Sequence, residues 1–232
     1  MFHLIRLEQK KNKLGWFIKG AILVNIIILG LLCIIPIIEK SEGELIFKSS
    51  KDFFAISGAM VRGVFIVFAA VLISKMIVDE FKNRSILVMF SYPLNRKNIL
   101  SAKLILIFWM TFITMAISNI VVVIGFIGLN QIIHLTSVAS FTTIDFFAEI
   151  LNLILFSLTT AVAALLPLYF GMRNYSTPAT IISSLFIVSA TCQSAGPNFS
   201  LAGIIYIPLA LAIIALVIVV LAIRKIDRID LN

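Results

Sequence analysis

Charge is what this chain has least of. Only 13% of its 232 residues are Asp, Glu, Lys or Arg, against about 25% in a soluble globular domain, while 61% are hydrophobic and the mean hydropathy is +1.11. Water is a poor solvent for such a composition. Cysteine is nearly missing too: Cys33 and Cys192 lie in or at the edge of apolar runs, too few for a disulfide framework, and are expected to be free buried thiols. The two histidines, His3 and His134, are far apart and have no cysteine cluster beside them, so no metal site is expected. No Ser-His-Asp order or compact acid–base set supports catalysis, and the chain is not expected to be an enzyme. It also lacks a Gly-x-x-x-x-Gly-Lys-Ser/Thr phosphate loop and any polar stretch large enough for an ATPase fold. Low-complexity tracts and convincing internal repeats are absent.

What is there is a succession of apolar runs. A helix needs about 20 mostly apolar residues to cross roughly 30 Å of hydrocarbon, and six candidate spans meet or approach that length: about 16–38, 54–77, 100–126, 146–170, 177–193 and 201–223. The expected class is therefore an all-α integral membrane protein, a single transmembrane domain over 1–232. The first run is too long for a signal-peptide core and has no convincing cleavage site, so it reads as a retained span. The fifth is the shortest; it begins near Pro178 and stops before the polar Gln193-Ser-Ala-Gly-Pro-Asn-Phe-Ser200, which suits a tilted, re-entrant or broken element.

The net charge of +8 does not point to nucleic acid, because the basic residues flank the apolar runs. Placing both termini in the cytoplasm puts the basic N-terminal flank, the 75–103 region, Arg173 and the C-terminal cluster inside. Lys40, Lys48 and Lys51 then fall outside, as the positive-inside rule favours. Residues 1–15 mix bulky apolar side chains with Arg6, Lys10, Lys11 and Lys13. They read either as an interfacial amphipathic helix touching anionic lipid or as a positive flank that orients the chain.

Between the second and third runs lies a polar stretch, Asp79-Glu-Phe-Lys-Asn-Arg-Ser-Ile-Leu-Val-Met-Phe-Ser-Tyr-Pro-Leu-Asn-Arg-Lys97. Its Ser85–Phe90 portion is an apolar patch rimmed by charge, a pattern common at protein contacts, and Pro93 holds Tyr92 out of helical geometry. A short helix across the cytoplasmic mouth followed by a sharp turn fits these residues, with an ordinary basic loop as the plainer reading.

The run Ile73–Lys103 resembles the corresponding part of type-2 ABC exporter permeases. In that family this stretch carries a glutamate, usually a Gly-Thr pair, a Ser-x-Pro-x-Ser/Thr-Arg turn and a lysine opening the next span. Glu80, Ser91, Pro93, Arg96 and Lys103 stand at those positions, while Arg84-Ser85 replaces the usual Gly-Thr. The resemblance implies the type-2 exporter fold, with 79–97 as the coupling segment that docks on a cytoplasmic ABC ATPase and 1–15 as an interfacial elbow helix. It also implies short re-entrant elements after Pro178. ATP and Mg would then belong to the partner ATPase, and a second identical or related permease subunit would complete the path. The compact form resembles bacterial peptide-efflux and lantibiotic-immunity permeases, which makes an amphipathic or antimicrobial peptide the expected cargo. Drugs, ions and lipids are alternatives, as is a non-transport membrane sensor or assembly subunit.

Inside the spans, Arg62 is expected in the outer part of the second. It would snorkel to the head groups or meet Asp145, Glu149 or an anionic substrate group. Thr142-x-x-Asp145 has the spacing of a helix cap. Asn25, Asn119 and Asn152, with Ser157, Thr159 and Thr160, are expected to pack helices together or line a polar seam. Pro167 and Pro208 are candidate kinks.

Overall fold

The computed structural model describes residues 15–42, 50–83, 96–133, 143–192 and 201–225. The expected elbow at 1–14, the bulk of the coupling segment at 84–95 and the polar stretch 193–200 lie outside the described residues. All regular structure within them is helical: α1 Gly15–Glu42, α2 Ser50–Ile73, a π-helical turn Ser74–Val78, α3 Asp79–Lys82, α4 Arg96–Ile133, α5 Thr143–Ala163, α6 Pro167–Asn174, α7 Thr177–Cys192 and α8 Leu201–Lys225.

Among the described residues there are four candidate membrane spans, Gly15–Ile38, Lys51–Lys82, Asn98–Ile132 and Phe146–Arg173, long and apolar enough to cross a bilayer. Thr177–Cys192 and Pro208–Arg224 are shorter apolar helices. The second and third spans outrun the expected 54–77 and 100–126 at both ends, because backbone hydrogen bonding carries a helix past the point where its side chains turn polar.

Two of these long elements are interrupted, each for a local reason. In the π turn the Asp79 amide bonds the Ser74 carbonyl five residues back, so one extra residue is fitted in without ending the helix. The break between α5 and α6 centres on Pro167. Proline has no N–H to give the Ala163 carbonyl. That carbonyl instead accepts from the Leu166 amide at 3.0 Å, beside a Leu165-to-Val162 bond at 3.1 Å, and the tightened turn restarts as a helix with Pro167 in its first turn. The kink expected at Pro167 is present. Pro208 lies within α8.

α2 is the central helix and packs on α4, α5 and α7; α5 also packs on α4 and α8, and α1 on α4. The core falls into two layers. A middle layer contains Leu32, Val61, Phe65, Ile66, Ala69, Met115, Val122 and Phe126. A second lies toward the end where α3 stops and α4 begins, here the basal end, and contains Phe17, Ile73, Met76, Ile77, Leu104, Ile107 and Leu168.

Small polar residues are buried while large aliphatic ones face outward. Ser57, Thr111, Ser118, Asn119, Ser157, Thr180 and Ser184 are sequestered, whereas Ile22, Leu23, Ile26, Ile117, Ile124, Phe186 and Val217 are exposed. Many buried hydroxyls are satisfied by carbonyls of their own helix, as in Thr111 to Ile107 at 2.9 Å and Ser183 to Thr180 at 2.8 Å. Small and hydroxylated contacts inside an aliphatic exterior form the arrangement that a lipid solvent favours.

Candidate functional site

The basal end gathers two of the residues singled out by sequence. Glu80, in α3, and Lys103, in the second turn of α4, are 23 residues apart and form a buried ion pair. Lys103 is only 1% exposed, and its Nζ also donates to the Met76 carbonyl of the π turn at 3.0 Å. The wider winding of the π turn absorbs one residue, and beyond it Glu80 faces α4 while Asp79 and Phe81 meet other elements. Asp79 accepts a hydrogen bond from the Thr177 hydroxyl at the start of α7, 2.9 Å away. Phe81 stacks on Tyr175, with ring centroids 5.9 Å apart and planes 19° from parallel.

Tyr175 is itself constrained. It closes α6 in the left-handed region, φ 46°, a conformation that disfavours side chains larger than glycine. Its ring contact with Phe81 and the bond from the Ser176 amide to the Gly171 carbonyl at 3.3 Å hold it there. One turn earlier, Gly171 admits α7 and the π turn so closely that a Cβ would collide with Thr180 Oγ1 and lie 2.9 Å from Val78 Cγ2. Lys75 projects from the π turn over the Trp16 ring, 4.1 Å from its centroid. Together these contacts tie α1, α3, α4, α6 and α7 to one basal brace.

Glu80 and Lys103, both expected to belong to the coupling set, are buried against each other. Asp79–Lys82 continues the second long helix instead of opening a separate element across its mouth. Arg84, Ser85, Ser91 and Pro93 lie outside the described residues, and Arg96 begins α4. The brace therefore fixes both anchor points of the 84–95 segment, one at the end of α3 and one at the start of α4.

A second polar set lies in the middle of the bundle. Arg62 is 4% exposed, and its guanidinium carbon is 5.0 Å from the centroid of the Phe156 ring on α5. It does not snorkel outward as expected; the neighbouring helices cover it. Of the expected acidic partners, Glu149 is about 10 Å along α5 from the level of Phe156 at 1.5 Å per residue and does not pair with Arg62, while the Asp145 side chain lies outside the described residues. Its Nε has no hydrogen-bond partner. A cation–π contact is worth about 0.5–2 kcal/mol, less than the several kcal/mol that removing a charge from water costs.

Beside Phe156, Ser157 bridges two helices: its hydroxyl donates to the Leu153 carbonyl at 2.7 Å and accepts from Asn119 Nδ2 at 2.9 Å. Asn119 and Ser157 thus fasten α4 to α5, as their polarity within apolar runs suggested. Thr160, one turn beyond Phe156, is fully buried and its hydroxyl has no partner. Asn152 is half-buried on α5. Both thiols are free, as expected. Cys192 donates weakly to the Ala59 carbonyl at 3.5 Å and sits where a Cβ on Gly63 would touch its sulfur at 3.4 Å.

Comparison with known proteins gives 44% identity over 228 residues with "Uncharacterized protein YcbO" of Bacillus subtilis (strain 168), covering 98% of this chain and 99% of that protein. The chain belongs to the YcbO family. No family model matches it, and no solved structure does. The near-complete coverage means that the YcbO family shares the whole span of this helical chain, so the basal brace and the Arg62 layer both fall within the aligned length.

The sequence did not signal the Asp79–Thr177, Phe81–Tyr175 and Lys75–Trp16 contacts. Each joins residues on different helices, and only the π turn and the left-handed Tyr175 bring them into reach. The αL residue has no glycine or asparagine to mark it.

Proposed function

We propose that this protein is the permease subunit of an ATP-driven ABC exporter in a bacterial plasma membrane, moving amphipathic or antimicrobial peptides outward. The reading takes the chain as six spans with both termini cytoplasmic, working with cytoplasmic ABC ATPase subunits and a second permease half. The observation that carries it is the buried Glu80–Lys103 pair. Two residues at the positions matched by the type-2 permease pattern are joined at the base of the 84–95 segment. A segment that receives force needs rigid attachments, since a motion applied to loosely held ends is absorbed there and never reaches the helices.

On this reading, ATP binding closes the ATPases and displaces residues 84–95. The brace passes that displacement to α2 and α4 together, and the bundle moves between two arrangements that differ in affinity for the peptide. Glu80 and Lys103 are positioning residues in this scheme, and contact with the ATPase falls to residues of the 84–95 segment, Arg84, Ser85, Ser91 and Pro93, and to Arg96.

Affinity purification from the native host in mild detergent, followed by mass spectrometry, tests it. Recovery of an ABC ATPase, with ATP turnover that rises on adding an amphipathic peptide, is the expected result. Repeated recovery without an ATPase under gentle conditions would overturn the exporter reading in favour of a membrane sensor or assembly subunit.

A further inference from the structure

We propose that Arg62 is the recognition cation of an internal site for an oxyanion, a carboxylate or phosphate carried on an apolar body, at the seam between α2 and α5. The guanidinium is charged at any physiological pH and offers five donors in a planar fork. In this structure those donors are poorly used: Nε has no acceptor, one face lies against Phe156, and no carboxylate among the described residues pairs with it. A buried charge left without a counter-charge is strongly unfavourable.

The surroundings supply a hydroxyl donor and, among the described side chains, no carboxylate paired with Arg62. Gly58 faces Leu153, and Arg62 faces Phe156, a register that sets Thr160 about one turn further along the same seam. The Thr160 hydroxyl is a second buried polar atom without a partner. An acceptor-only group with two or more oxygens complements this pair, because it engages the guanidinium fork and takes a hydroxyl proton as well. Val61, Phe65 and Ile66, within four residues of Arg62 on α2, are fully buried apolar side chains, which suits a ligand whose remaining surface is apolar. The assignment goes beyond the export reading and stands without it, so its test contains no ATPase.

The full chain, purified in a neutral maltoside detergent, is heated alone, with dodecanoate, and with phosphatidylglycerol; dodecanol and dodecyltrimethylammonium serve as controls. Either anion is expected to raise the unfolding midpoint of the wild type by several degrees, while the controls do not. Dodecanoate alone would identify a carboxylated amphiphile, phosphatidylglycerol alone a lipid head group, and both the shared oxyanion chemistry. Arg62→Met is expected to match or exceed the wild type without ligand and to lose the anion-specific shift. If that variant does not fold, Arg62→Lys carries the test: it retains charge but not the fork, and about tenfold weaker binding of the active anion is expected. No shift with either anion, an equal shift in Arg62→Met, or unchanged affinity in Arg62→Lys overturns the site.

Discussion

At the scale of single residues, the Glu80–Lys103 pair shows how a buried ion pair differs from a surface one. Exposed pairs contribute about 0–1 kcal/mol, and even a buried pair adds little net stability because both charges have left water. Removing one member is another matter. With Lys103 1% exposed, Lys103→Met or Glu80→Gln is expected to cost about 3–5 kcal/mol by removing the buried charge that faces the other. The double variant should recover much of that loss. Unfolding midpoints in detergent for all four species decide it, and additive losses would show that the two side chains do not act as a pair. Gly171 gives a second residue-scale expectation. Because a Cβ there lies 2.9 Å from Val78 Cγ2, Gly171→Ala should destabilise by about 1–3 kcal/mol through overpacking. An unchanged midpoint would mean that the α6, α7 and π-turn contact has slack.

The π turn matters at the scale of the element. Deleting Ser74 should restore uninterrupted α-helical winding and leave Glu80 and Phe81 facing close to their present directions, because the π turn absorbs one extra residue, whereas inserting an alanine after Val78 should turn everything after it by about 100°. In the insertion variant Glu80 would point away from Lys103, and Phe81 away from Tyr175. The insertion is expected to lower the unfolding midpoint at least as far as Lys103→Met does, and the deletion to lower it far less. An insertion variant as stable as the wild type would show that the winding of this turn does not aim α3. The Pro167 break works on a neighbouring element: by ending α5 at Ala163, it starts the short α6 that brings Gly171 and Tyr175 to the same brace.

For the whole molecule, the proposed orientation makes the two polar connections report on opposite sides. In a Cys33→Ser, Cys192→Ser background, a single cysteine placed at Ser137 is expected to react with a membrane-impermeant maleimide in spheroplasts with an intact inner membrane. One placed at Ser85 should react only after permeabilisation. The reverse pattern would invert the topology, and labelling of both in intact spheroplasts would remove the intervening span. The arrangement of aliphatic residues outside and hydroxyls within also predicts how the bundle responds to small changes. Asn119→Ala leaves Ser157 bonded to its own helix, so the expected loss is modest, about 1 kcal/mol, measured in the same unfolding assay.

The helical class of this chain and its long apolar helices were legible without coordinates, because length and apolarity of a run are properties of contiguous residues. For that reason the helices Gly15–Glu42, Ser50–Ile73 and Arg96–Ile133 fall where the apolar runs do, while Glu80 and Lys103 were marked only by the resemblance to the permease pattern. Only the tertiary structure decided that these two meet. It also placed Arg62 against Phe156 in the interior of the bundle, not at a head-group surface. Such pairings depend on the rotation of each helix about its axis. A single extra residue in a π turn, or one proline, resets that rotation by an amount that the local pattern of apolar and polar residues does not record.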